Sequence, residues 1–159
     1  MQQRQGSMYF FGYGVSVNPK FLQQYGIDPI AQQPARLQDH TLVFNVRDYF
    51  RLEGGTANIQ KSTNNEVHGI IYQLNPSHTP ALVEMHSIFY RQAEISVQGQ
   101  DGKTYDVVKV FIGVADYLEQ GLQPSERYID IMLAASKLTD IPDTYIAQLQ
   151  AQEVRPTPA

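Results

Sequence analysis

A chain of 159 residues is long enough to bury the core of one domain and short for two. Its 42% hydrophobic residues place it among globular proteins, and a net charge of −4 with no run of Lys or Arg argues against a nucleic-acid surface. With no cysteine there is neither a disulfide nor a thiolate metal site, and any nucleophile must be another group.

Met1 to Ser7 is a polar, Gln-rich lead, expected to be a flexible tail like the Pro-containing stretch from Glu153 to Ala159; residues 8–150 then make the domain. No stretch has the apolar length of a membrane span, and the first eight residues are too polar for a signal peptide. The expectation is a cytoplasmic protein without membrane contact. Tyr9 to Tyr13 is apolar and aromatic, as a strand buried on both faces would be. Gly12 and Gly14 permit a tight turn at its end, and Asn18 caps a helix that Pro19 opens and Lys20-Phe21-Leu22 continues. A strand that enters a helix through glycine leaves backbone N–H groups directed beyond the strand end, where a carboxylate or phosphate fits. The glycines form neither GxGxxG nor GxxxxGK[ST], so no nucleotide is implied. The plainer reading is a buried strand with a glycine-rich exit.

Tyr25 to Pro29 reads as a turn and Gln32-Gln33-Pro34 as an extended linker. Ala35 to Val46 contains a strand with Leu42, Phe44 and Val46 on one face. Gly54-Gly55 permits a bulge, Ala57 to Gln60 is a short strand, Lys61 to Glu66 a turn, and Val67 to Leu74 a central strand. Thr79 is placed as the cap of a short helix with Pro80 in its first position, reaching His86. Phe89 to Val97 is a strand with Tyr90 and Glu94 on one face, turning through Gly99 to Gly102 into its partner, Tyr105 to Val114. Ser125 caps a helix that runs to Leu138 with Tyr128, Ile131, Met132, Ala135 and Leu138 inward, and Pro142 opens a last helix over Tyr145, Ile146 and Leu149. The fold expected is a single α+β domain, a small mixed β-barrel or strongly curved sheet with flanking helices. The four histidines show no ligand spacing, so no metal site is expected.

Several segments, in this order, resemble the gamma-glutamylcyclotransferase-like family, including its gamma-glutamylamine cyclotransferase relatives. They are Tyr9 to Leu22, Ala35-Arg36-Leu37 through Phe44, Gly54 to Ile59, Val67 to Tyr72, Leu82 to Val97 and Pro124 to Tyr128. The resemblance implies a small β-barrel and a cofactor-free cyclisation. The α-amine of a γ-glutamyl amine or peptide attacks its own γ-carbonyl, and 5-oxoproline is released. It puts a general acid/base on Glu84, with Phe11, Gly12, Tyr13, Gly14, Val15, Ser16, Tyr90 and Tyr128 around the substrate. Leu82, Val83, Met85, Ile88 and Phe89 would desolvate Glu84; on a regular helix a Glu opposite such a stripe is otherwise solvated. Partners are then a small-molecule substrate, not nucleic acid or membrane, with the protein a monomer or homodimer.

Three departures from the family pattern are present. The Ser-Asn that follows Tyr-Gly is Val15-Ser16, the Gly that follows the catalytic Glu is Met85, and a shifted alignment puts His86 in the Glu's place. They keep a second reading open: a non-catalytic or diverged member that binds a small carboxylated ligand or a protein partner.

Overall fold

Strands whose apolar residues pair across five neighbours close into a barrel, and the computed structural model describes it over residues 6–48 and 54–156. The outer parts of the two expected tails, 1–5 and 157–159, lie outside the described residues. The strands are β1 (Met8–Gly12), β2 (Ala31–Asp48), β3 (Gly54–Leu74), β4 (Tyr90–Gly99) and β5 (Thr104–Gly113), in the order β1-β3-β2-β4-β5. All pairings are antiparallel except the seam, where β1 meets β5 in parallel through Phe10 and Lys109. The barrel is therefore mixed, as the sequence leads one to expect.

Four helices flank it: α1 (Pro19–Gln23), α2 (Thr79–His86), α3 (Glu126–Ser136) and α4 (Asp143–Gln150). Asn18 caps α1 through its Oδ1, 3.1 Å from the Lys20 N–H, and Ser125 caps α3, its Oγ accepting from the Tyr128 N–H at 3.1 Å. At α2 the expected cap is displaced by one position. Thr79 is the first helical residue and its hydroxyl donates to the Pro76 carbonyl, while Asn75 caps the preceding 3-10 turn.

Two expected breaks are continuous strand. Gln32-Gln33-Pro34 belongs to β2, paired with Tyr72, Ile71 and Ile70, and Lys61 to Glu66 belongs to the long β3. The turn residues of that second stretch mark a bend rather than a reversal. Asn64 and Asp39 take positive φ of 65° and 58° where the β2–β3 register shifts, and Asp39 accepts the Asn64 N–H at 3.1 Å. In α3 the inward positions are Tyr128, Ile129, Met132, Ala135 and Ser136. Leu138 lies past the helix end and is 88% exposed, so the apolar stripe stops one turn earlier than its spacing suggests.

One continuous core covers both faces of the strands, with Phe10, Phe11, Ile70, Ile71, Tyr72 and Val110 buried, and takes in Leu82, Met132 and Leu149 from α2, α3 and α4. Residues 153–156 run back beside the start of α3. The Arg155 N–H donates to Pro124 O and the Glu126 N–H to Arg155 O, both at 3.0 Å.

Candidate functional site

The end of β1, the 3-10 turn Val15–Val17 and the last turn of α2 enclose a cavity of about 370 Å³. It opens at one end of the barrel. Phe11 is fully buried in its wall, and the chain then turns through Gly12 and Gly14. A Cβ on Gly12 would stand 2.6 Å from Ser16 Oγ, and one on Gly14 would stand 2.8 Å from the Tyr128 hydroxyl. Both positions are closed to larger residues by contact with their neighbours. The Tyr72 hydroxyl, deep in the barrel, donates to Ser16 O at 2.6 Å and pins the turn from below. The N–H groups of Gly14, Val15 and Ser16 have no hydrogen-bond partner among the described residues, and all three residues line the cavity. Such N–H groups suit a carboxylate.

Three tyrosines line the same cavity. The Tyr13 hydroxyl donates to Phe111 O at 2.5 Å, and that of Tyr90 donates to Ala57 O at 2.6 Å while lying 2.6 Å from Thr56 Oγ1. The Tyr128 hydroxyl accepts the Ala57 N–H at 3.0 Å. Burial, reinforced by the neighbouring phenols, holds the Tyr13 and Tyr90 hydroxyls well above the ordinary phenol value, so they stay protonated. Their O–H groups are directed at backbone carbonyls.

The α2 end separates the two acid–base candidates. Glu84 lines the cavity from an exposed position, beside Val83 at 47% exposure; Ile88, expected to help desolvate it, is 65% exposed. Of the five apolar residues anticipated around its carboxylate, Val83 and Ile88 are thus turned to solvent, Leu82 and Phe89 are buried and Met85 is half-buried. His86 lies inside the wall. Its ring stacks on Phe111 (centroids 3.9 Å apart, 2° between planes) and meets the edges of Phe10 and Tyr90. Nδ1 is 2.8 Å from Leu82 O; a carbonyl only accepts, so Nδ1 carries the hydrogen. Burial pushes the imidazole down to about 4, outweighing the hydrogen bond to Leu82, and the ring is neutral at pH 7.

Ser87, next in the chain, has φ 55° and ψ −163°, a backbone region suited to glycine, and its buried Oγ has no hydrogen-bond partner. Met85, inside the helix, has no such conformational need for glycine. Ser87→Gly is expected to raise stability by about 1 kcal/mol, since strain and an orphan hydroxyl outweigh the added chain entropy. Chemical denaturation measures it.

Of the residues expected around a substrate, Phe11, Tyr13, Gly14, Val15, Ser16, Glu84, Tyr90 and Tyr128 line this one cavity. Gly12 does not line it, and Glu94 lines a separate cavity with Tyr9 and Lys109. No sequence signal pointed to Arg47 and Asp48, which the end of β2 brings to the cavity; Arg47 pairs with Glu119. Phe21 in α1 and Tyr25, two residues past its end, also line the cavity, with ring centroids 5.9 Å apart and planes tilted by 50°. Among the described residues no cluster of His, Asp or Glu could hold a metal ion, and no helix is long and apolar enough to cross a membrane.

A profile of the AIG2-like family matches residues 66–149. The chain is 28% identical to a gamma-glutamylcyclotransferase of Mus musculus over 153 residues, covering 91% of this chain and 78% of the mouse protein. It is 25% identical to a gamma-glutamylcyclotransferase of Bos taurus over 153 residues, covering 92% and 79%. A solved gamma-glutamyl cyclotransferase structure superposes with a TM-score of 0.81 at 26% identity, over 94% of this chain and 89% of that one.

Proposed function

Since the chain belongs to the AIG2-like family and has the gamma-glutamylcyclotransferase-like fold, we propose that it releases 5-oxoproline from a γ-glutamyl amine or peptide. One observation carries this reading: a single cavity joins N–H groups that suit a carboxylate, phenols that frame a bent chain, and ionisable groups on the last turn of α2.

The α-carboxylate of a glutamyl group pairs with the N–H groups of Gly14, Val15 and Ser16. The apolar wall of Phe11, Phe21 and Met85 folds the methylene chain so that the α-amine meets the γ-carbonyl. Holding the two ends together removes most of the entropy that opposes a five-membered ring closure. The reaction consumes no cofactor. It needs one group to move protons from the attacking nitrogen to the leaving one, which Glu84, the residue implied by the resemblance, or its neighbour His86 supplies.

The test is release of 5-oxoproline from γ-glutamyl amino acids, γ-glutamyl amines and glutathione by the purified protein. Turnover of at least one of them is expected; silence on all three classes, from folded protein, overturns the reading. Val15 and the exposed setting of Glu84 favour a second reading, in which the cavity binds a small carboxylate without turning it over. It predicts thermal stabilisation by such a ligand and no product.

A further inference from the structure

Three side chains that line the cavity carry a proton-accepting oxygen or nitrogen: Asp48, Glu84 and His86. Glu84 is exposed, while Asp48 ends β2 next to Arg47. The Tyr13 and Tyr90 phenols are excluded as bases because each keeps its proton and donates it to a carbonyl. His86 differs from all of these. Its Nδ1 is committed to Leu82 O, which fixes the tautomer and leaves Nε2 as a lone-pair acceptor. Nε2 has no hydrogen-bond partner among the described residues and is not sealed from solvent, so it is reached from the cavity that the ring lines. The ring is clamped by Phe10, Tyr90 and Phe111, so the acceptor is held in place before anything binds.

We propose that His86, through Nε2, is the catalytic proton carrier of this site in place of the Glu84 carboxylate; the proposal rests on the cyclotransferase reading above. Nε2 takes a proton from the α-ammonium, and the freed amine bonds to the γ-carbonyl carbon as the C=O π pair moves onto oxygen. The C=O bond then re-forms, the bond to the leaving nitrogen breaks, and that nitrogen takes the proton back from Nε2. A second proton leaves the new lactam nitrogen and follows the same route. Two protons move, and none is consumed.

The experiment compares wild type with His86→Gln, His86→Glu, Glu84→Gln and Asp48→Asn, on whichever γ-glutamyl compound the wild type turns over. His86→Gln is expected to lower kcat about 100-fold or more with KM within about 3-fold, and His86→Glu to recover part of that loss. Glu84→Gln and Asp48→Asn are expected to lose far less. If His86→Gln folds and keeps wild-type kcat, or if Glu84→Gln or Asp48→Asn alone loses it, the role of His86 falls while the cyclotransferase reading stands. If the wild type turns nothing over, the reading falls and the role with it.

A measurement independent of turnover follows the imidazole nitrogens by 15N NMR, with 5-oxoproline as the probe. An unprotonated Nε2 whose resonance moves on adding 5-oxoproline is expected. A hydrogen found on Nε2 throughout pH 5–8, or a resonance indifferent to saturating 5-oxoproline, overturns the proposal even if His86→Gln cannot be folded.

Discussion

Gly69→Ala is expected to destabilise the protein by about 3 kcal/mol or more, a large fraction of the stability of an ordinary domain. Gly69 pairs with Ala35 across β2 and β3, and its bare Cα faces the crossing of β1. A Cβ there would overlap the carbonyl oxygen of Gly12 and stand 3.0 Å from two ring carbons of Phe11. Neither can retreat. The Gly12 backbone is held by its pairing with Ile70, and Phe11 is fully buried. Overpacking ordinarily costs about 1–3 kcal/mol, and a rigid backbone atom in the path puts this substitution at the upper end. Urea denaturation of Gly69→Ala against wild type measures the loss, and a midpoint within error of wild type would refute the close approach. Because β1 ends in the turn of the cavity, milder substitutions at this crossing are expected to disturb the site before they unfold the barrel.

Acid lability is the second large effect. The His86 imidazole lies at about 4 in the folded protein, against 6.5 for a free histidine. Above pH 6.5 it is neutral folded or unfolded and contributes nothing to the pH slope. As pH falls below 6.5 the unfolded chain binds a proton that the folded one refuses, so stability drops until the folded imidazole also titrates near pH 4. The difference of about 2.5 pH units corresponds to about 3 kcal/mol. His68 is also lowered by burial, and Asp101, which burial raises, is lowered on balance by hydrogen bonds from Tyr105 and Gln33, so both add to the loss on acidification. Both remain in His86→Gln. The comparison is therefore the difference in slope: between pH 7 and pH 4 wild type is expected to lose about 3 kcal/mol more than His86→Gln. Equal slopes would mean that His86 is not buried as described.

What the sequence made legible was what adjacent residues decide. Asn18 ahead of Pro19, Ser125 after Pro124, and the Gly99 to Gly102 turn each carry their structure within a few residues, and each stands where expected. Gln32-Gln33-Pro34 and Lys61 to Glu66 look like connectors because their own preferences favour bends; they are strand because the partner supplies the pairing. Even Pro34 sits opposite Ile70 while its carbonyl accepts the Gln100 N–H. In the site, the turn after Tyr13, Tyr90 and Tyr128 come together through three distant parts of the chain, which resemblance could anticipate and periodicity could not. Periodicity offered a solvated Glu84 and a shifted alignment named His86, but neither foresaw the clamp of Phe10, Tyr90 and Phe111 around the His86 ring. In an eight-residue helix with Val83 outward and Leu82 inward, a displacement of two positions carries a side chain from the rim to the wall.

The seam of the barrel carries a dynamic consequence. β1 and β5 meet through the single pair Phe10 and Lys109, so this joint has little backbone bonding to resist thermal parting. The rings that bridge it, Phe10 from one strand and Phe111 from the other, are two of the three that grip His86. When the staves part at this joint, the imidazole loses its clamp in the same motion. The lifetime of the closed seam is thereby the lifetime of an ordered site.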